Sequence, residues 1–216
     1  DQEEFTRQEL IEKFSLEAVG KSAAAINPGK LDWLNAQYIK KTDVDELVKL
    51  FRPFIELKGY SFTDPGLLKN VVRSLRERVK TLVEMAEVAE FYFRKEIAYD
   101  EKAAEKFLDR NSGSVLGQMI DALSEEATVD REGCHRLIQW LAETRGVPLV
   151  KIAQPLRVAL TGRTVSPPID EVMGILGKEV VIERLQRAME YVEKSQIRIS
   201  GEASVSDQSE TNPKSK

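Results

Sequence analysis

The stretch that most constrains this chain runs from Ile152 to Leu185, IAQPLRVALTGRTVSPPIDEVMGILGKEVVIERL. Its punctuation predicts two short helical pieces around a tight loop. Pro155 suits a first helical position, where its missing N–H leaves no bond unmade. Leu156, Ala159 and Leu160 then supply an apolar stripe, and Gly162 falls where a left-handed C-cap belongs. Ser166 suits an N-cap with Pro167 at the first helical position. Asp170 and Glu171 follow in the first turn, where the helix dipole favours carboxylates. Gly177 ends that helix and the next begins at once. The loop Arg163-Thr164-Val165-Ser166-Pro167-Pro168 is thus expected to be pinned at both ends and stiffened by its prolines, as suits a loop that presents something. Spacing alone also fits a plain, well-capped helix–turn–helix.

The rest of the chain reads as helices throughout. Thr6 and Glu9 form a capping box, Thr-x-x-Glu, opening a short helix through Leu10 and Ile11 to Phe14. Asn27-Pro28 opens another, with Leu31, Leu34, Tyr38 and Ile39 as its buried stripe and Trp33 off that stripe. Thr42 is expected to cap a helix bearing Val44, Leu47, Val48, Phe51 and Ile55, with Pro53 kinking or breaking it and Gly59 past its end. Asp64-Pro65 predicts a long helix toward Phe93. At about 100° per residue its apolar positions Leu68, Val71, Val72, Leu75, Val79 and Leu82 share one face. Arg73, Arg76 and Lys80 fall opposite. Arg78 projects about 60° from Leu75, at the stripe's edge, where a buried stem can carry its guanidinium toward a neighbouring groove. Ordinary snorkelling is the plain alternative.

A charged helix is expected from Tyr99 to Leu108, a break at Asn111-Ser112-Gly113-Ser114, and a restart from Val115 to Leu123. Thr128 caps the next, to about Arg145, with Leu137, Ile138 and Leu141 inward and Gly146 as stop. From Lys178 the last helix carries Val181, Leu185, Ala188, Met189 and Val192 on one side. Residues 196–216 have no apolar period and are rich in Ser, Glu and Lys, which predicts a disordered tail. The expected fold is all-α.

Composition narrows the function. With 216 residues, 42% of them hydrophobic and 31% charged, a packed core with a soluble surface is expected. The formal net charge of −4 argues against nonspecific, phosphate-driven nucleic-acid binding, DNA included, and less against reading of exposed RNA bases. Cys134 has no partner for a disulfide, which suits a reducing, cytoplasmic setting. No apolar run approaches the roughly 18–20 residues of a membrane span. The first residues lack both the features of a signal peptide and an initiator Met, so the chain is expected to be a piece of something longer. With one His and one Cys, a metal site of the usual N/S kind is not expected. No Gly-rich phosphate loop or nucleophile elbow occurs, so no catalytic residue is assigned.

Two ordered motifs carry a resemblance. QPLRVALTG with the Ser-Pro-Pro loop and GILGKE turn resembles the C-terminal anticodon-binding region of bacterial glutamyl-tRNA synthetases. Lys21-Ser22-Ala23-Ala24-Ala25, followed by Asn27 to Asn35 and Tyr38-Ile39, is similar to that family's KSPA…KLxWLNxxYI segment, although Ala23-Ala24 departs from the usual Ser-Pro-Ala. The resemblance extends to about Lys194. It implies the end of a stem-contact region (1–42), two helical anticodon-binding subdomains (43–95 and 96–195) and the tail (196–216). It also implies a monomer whose partner is the anticodon stem and loop of tRNA(Glu), with no cofactor in this piece and ATP and Mg in the parent enzyme. The parent's HIGH-type and KMSKS-type motifs are missing here, so this chain alone is expected to make no bond. Carried over by position, Arg157, Ser166, Pro167 and Ile169 match residues that line the anticodon pocket. Arg78 matches the arginine that checks the third anticodon base in glutamate-only enzymes, which relatives that also charge the glutamine tRNA tend to lack. A freestanding helical module binding protein or RNA stays open as an alternative, and an uncharacterised helical enzyme as a remoter one.

Overall fold

The computed structural model describes residues 4–20, 25, 27–61 and 64–206, with 196–206 as backbone. Among these it is all-helical, with no strand. Local chemistry sets most helix starts. In α1 (Arg7–Lys13) Thr6 accepts from Glu9 N and Glu9 caps Thr6 in return, the predicted capping box. A single 3-10 turn, Leu16–Ala18, leads toward α2 (Pro28–Lys41), capped by Asn27 with Pro28 in its first turn. Then come α3 (Val44–Leu57) behind Asp43 and α4 (Pro65–Leu75) behind Asp64. Side-chain oxygens two or three residues upstream satisfy N–H groups that would otherwise lack partners.

Several boundaries differ from the sequence reading, each for a physical reason. Thr42 closes α2, its Oγ1 donating to Tyr38 O, and Asp43 caps α3 instead. Helix α3 runs through Pro53; both Pro53 and Lys49, whose carbonyl loses its N–H partner there, lie on the exposed face, so the orphan carbonyl is open to solvent rather than buried. The helix expected from 65 to 93 is two helices, α4 and α5 (Leu82–Phe93), separated by residues 76–81. Thr81 stops the continuation by accepting from Glu84 N, while Glu84 accepts from Lys80 N at 2.7 Å. Only Ile39 of the α2 stripe is buried; Leu31 and Tyr38 are more than half exposed.

Beyond α6 (Glu101–Phe107), α7 (Arg110–Glu125) starts at the segment expected to break the chain. Asp109 caps it, accepting from Ser112 N at 2.8 Å. Its small residues are a crossing point rather than a break: a Cβ on Gly113 would lie 3.8 Å from Val192 Cγ1, and one on Gly117 3.6 Å from Met189 Cε. Asp130, not Thr128, caps α8 (Arg131–Arg145). Helix α9 spans Val150–Thr161, so Pro155 lies inside it; the first turn forms earlier, with Lys151 N on Pro148 O at 2.8 Å. Helix α10 is Ile169–Leu176, and α11 continues from Lys178 to Ser206. The segment expected to be a disordered tail is thus helical in backbone as far as Ser206, while 207–216 lie outside the described residues.

Helix α11 lies along α7 and α9, α10 packs on α8, and α3 on α4 and α5. One apolar core runs from Ile39 through Phe51, Leu75 and Met85 to Leu116, Leu156 and Val192. It is continuous across the 95/96 boundary, with α5 touching α9 and α4 touching α10. That junction positions the site.

Candidate functional site

A cleft of about 1100 Å³ opens between the turn after α4, α5 and the loop after α9. One wall is the turn after α4, with Glu77, Arg78 and Val79, together with Glu84, Val88 and Phe91 of α5. The other is the segment Ala98 to Asp100 and the loop Gly162 to Pro167. The cleft therefore brings Arg78, Ser166 and Pro167 together, residues separated by about ninety positions of sequence.

The Arg78 wall is a turn because α4 ends at Leu75. Arg78 N donates to Leu75 O at 2.8 Å, which folds the chain back, and Val79 is buried as an anchor. From α2, Asn35 Nδ2 donates to Lys80 O, and Lys40 pairs with Glu77 at 3.7 Å. The WLN motif near the N-terminus thus holds the turn that carries Arg78. The Arg78 side chain is exposed, and its guanidinium has no hydrogen bond or ion pair among the described residues.

The loop wall is fixed by Gly162. Its φ of +74° terminates α9, and a Cβ there would stand 2.2 Å from Ala98 O, so it answers two demands, left-handed backbone and close approach. Asp100 N donates to Gly162 O at 2.9 Å, locking the 98–100 segment against the loop. Thr161 Oγ1 donates to Arg157 O at 2.7 Å and accepts from Arg163 N at 3.3 Å. Ser166 is not the helix cap. Pro168 occupies that position, leaving Pro167 outside the helix, and Ser166 Oγ accepts from Arg157 Nε at 3.0 Å while donating to Pro167 O at 2.7 Å. Val165, 82% exposed, forms the loop's tip.

These contacts sort the residues singled out in the sequence. Arg78 projects at the surface. Ser166 lines the cleft, but its one proton is committed to Pro167 O, so it offers a partner only a lone pair. Pro167 is buried as well as lining the cleft. Arg157 is half-buried behind the loop, and desolvation, opposed by nearby Asp170, lowers its pKa. Ile169, at 4% exposure, belongs to the core and supports the loop from below.

The sequence reading missed Phe91, Tyr99 and Arg163, which also line the cleft. Tyr99 is braced edge-on by Tyr191 with centroids 5.0 Å apart, and burial pushes its phenol up to about 12. The available signal for a new wall was Thr81-x-x-Glu84, an N-cap pattern inside the supposed long helix. The carboxylates are largely engaged. Glu84 accepts from Lys80 N and Asp100 from Ala103 N, and Glu77 lies near Lys40 and Arg76. Arg78 and Arg163, by contrast, have no hydrogen bond or ion pair from their guanidiniums among the described residues. A cleft with an apolar floor, unspent cations and a rigid loop suits a ligand that combines flat rings with anionic groups.

Comparison with known proteins fits that chemistry. Residues 46–189 match the family model described as an anticodon binding domain. The chain is 47% identical over 192 residues to glutamate–tRNA ligase 1 of Syntrophus aciditrophicus, covering 89% of this chain and 41% of that protein. It is 41% identical over 194 residues to the glutamate–tRNA ligase of Geobacter sulfurreducens, covering 90% of this chain and 42% of that one. This chain therefore spans about two-fifths of the length of these relatives. The crystal structure of a glutamate tRNA ligase from Elizabethkingia meningosepticum in complex with its amino acid superposes with a TM-score of 0.79 at 24% identity, over 86% of this chain and 36% of that one, a likeness of fold.

Proposed function

The chain belongs to the anticodon-binding domain family, and we propose that it is the tRNA-gripping part of a glutamate–tRNA ligase whose cleft receives the anticodon loop of tRNA(Glu). The observation that carries the reading is the cleft itself, which faces Arg78 on its turn toward the rigid 162–167 loop. Unstacked loop bases need donors held at fixed positions and apolar surface to cover their faces. Arg78 supplies a projecting planar donor fork. Arg157 acts from behind the loop, holding Ser166. Val88, Phe91 and Tyr99 supply the apolar side.

In this reading the parent enzyme attaches glutamate to tRNA(Glu), with ATP and Mg bound upstream of these residues, and works as a cytoplasmic monomer. No helix among the described residues is long and apolar enough to cross a membrane. The isolated chain binds tRNA and forms no aminoacyl adenylate. Of the assigned residues Arg78 discriminates, and Arg157 and Ser166 keep the loop in shape.

The test is Arg78→Gln in the full-length enzyme, charging glutamate tRNAs that differ only at the third anticodon base. Losing one good base contact costs roughly 1–3 kcal/mol with the matching base alone, by analogy with bidentate readout on DNA. The expected result is a narrowed preference with amino-acid activation intact, while Arg157→Ala, by releasing Ser166, weakens binding of the matched tRNA through the loop. An equal loss on both tRNAs from Arg78→Gln would reassign that residue to backbone contact or packing.

A further inference from the structure

Beside the main cleft, and sharing Phe91, Ala98 and Arg163 with it, lies a slot of about 40 Å³. Glu90, Arg94, Ile97 and Thr161 complete its lining. Arg94 is aimed by its neighbours: Nε donates to Tyr60 Oη at 2.9 Å and Nη2 to Glu90 Oε1 at 2.5 Å. Tyr60 Oη in turn donates to Glu90 Oε1 at 2.8 Å, and its ring stacks on Phe93 at 6.1 Å. Hydrogen bonds from Tyr60 and Arg94 hold the Glu90 carboxyl below its usual range, and the contacts with Tyr60 and Glu90 raise the Arg94 pKa further. Glu90 is thus satisfied within the protein, and Arg94 keeps its Nη1 without a hydrogen bond among the described residues. Arg163 stands across the slot on the loop that Gly162 fixes, its guanidinium likewise unengaged among those residues.

Two arginines and one internally satisfied carboxylate leave the slot net positive, and a guanidinium is a planar donor matched to phosphate oxygens. The slot is small and the adjoining cleft is ring-sized. We propose that Arg94 and Arg163 form a phosphodiester clamp, holding the RNA backbone at the end of the cleft while the bases enter the space beside Arg78. The clamp rests on the RNA-loop reading above, and its contribution is positional: phosphate contacts fix register and weaken evenly across sequences when lost. Tyr60 is a positioning residue for Arg94 and touches no ligand.

The experiment measures binding of this chain to RNA hairpins, with matched and mismatched loop triplets, across a salt series. Each phosphate neutralised on a single strand contributes about 0.7 to the slope of log affinity against log salt. Arg94→Gln and Arg163→Gln are each expected to flatten the slope by about that amount. Each should also weaken matched and mismatched hairpins by the same factor, with the thermal midpoint unchanged in Arg163→Gln, whose guanidinium holds nothing among the described residues. Arg163→Lys, which keeps the charge, should keep the slope. Unchanged slopes in both Gln variants, or losses confined to one loop sequence, overturn the clamp while leaving the binding reading intact. Failure of the unaltered chain to bind any hairpin overturns both.

Discussion

Arg184 is the perturbation through which the architecture can be tested most directly. It sits on α11 at 3% exposure, with no carboxylate accepting from it among the described residues. Instead Nη1 donates to Leu160 O, and Nη2 to Phe91 O and Arg94 O, each at 2.8 Å. Those carbonyls belong to the ends of α9 and α5, where backbone acceptors run out of N–H partners and the helix dipoles favour a cation. One guanidinium therefore closes both helices from which the cleft walls spring. Burial lowers its pKa to about 10, so the charge is held at a cost that the carbonyl contacts outweigh.

Arg184→Met keeps an apolar stem and removes all three contacts. Each buried carbonyl left unpaired costs about 1–3 kcal/mol, roughly 3–9 kcal/mol for three. Relief of the guanidinium's own desolvation, several kcal/mol, returns part of it. The net expectation is a loss of about 3–5 kcal/mol, similar to deleting one partner of a buried charged pair. At about 2–4 °C per kcal/mol for a chain of this size, the midpoint should fall by roughly 6–20 °C. Reversible urea and thermal unfolding at neutral pH measure it. A loss below about 1 kcal/mol would mean that water or a small shift satisfies the three carbonyls, and that Arg184 does not hold the cleft's walls.

Gly162→Ala adds a positive-φ penalty of about 1–2 kcal/mol to an overpacking cost of about 1–3 kcal/mol against Ala98 O, so urea unfolding should show at least about 2 kcal/mol of destabilisation. The same exchange at Gly146, where a Cβ meets nothing within 4 Å, should cost only the φ penalty, which separates the two effects. Cys134, 1% exposed, has its thiol pushed by burial up to about 12 from an ordinary value of 9.0. The folded chain then keeps a proton that the unfolded chain loses, so this group makes stability fall as pH rises between those values. Alkaline denaturation should therefore be shallower in Cys134→Ala, and rapid thiol labelling of the native chain at pH about 8 would contradict the burial.

The parts of the fold legible in the sequence were those written in local chemistry. Thr6 with Glu9, Asn27 with Pro28, Asp64 with Pro65, and the glycines at 59, 146, 162 and 177 act within one turn of chain, and each is where the reading put it. What failed depended on residues outside the turn being read, whether a rival cap one or two positions away, as at Asp43 and Asp130, or a neighbour further off. Gly113 looks like a breaker until α11 lies across it, and Pro155 like a helix start until the turn at Pro148 precedes it. Arg78 was projected onto a helix face that does not exist; its approach to the loop comes from the turn, held by Asn35 from another helix. Two residues at helical spacing, Leu75 and Val79, are both buried, so periodicity carried across a break in the helix.

Net charge, too, averages over unlike surfaces. A formal charge of −4 speaks against a nucleic-acid partner only if carboxylates and cations are equally available at the surface that meets it. Around this cleft they are not. Glu84 and Asp100 are spent on helix N–H groups, Glu90 on Tyr60 and Arg94, and Glu77 lies near Lys40 and Arg76. Arg78 and Arg163 project without such engagement among the described residues. The same acids that lower the chain's overall charge build the turns and caps that aim its arginines. Replacing Glu84 with Gln should therefore leave RNA affinity flat or lower, by loosening the Arg78 turn, although it removes a negative charge from the cleft. A marked gain in affinity from Glu84→Gln would show that the carboxylate acts on the ligand by charge rather than on the turn by its hydrogen bond.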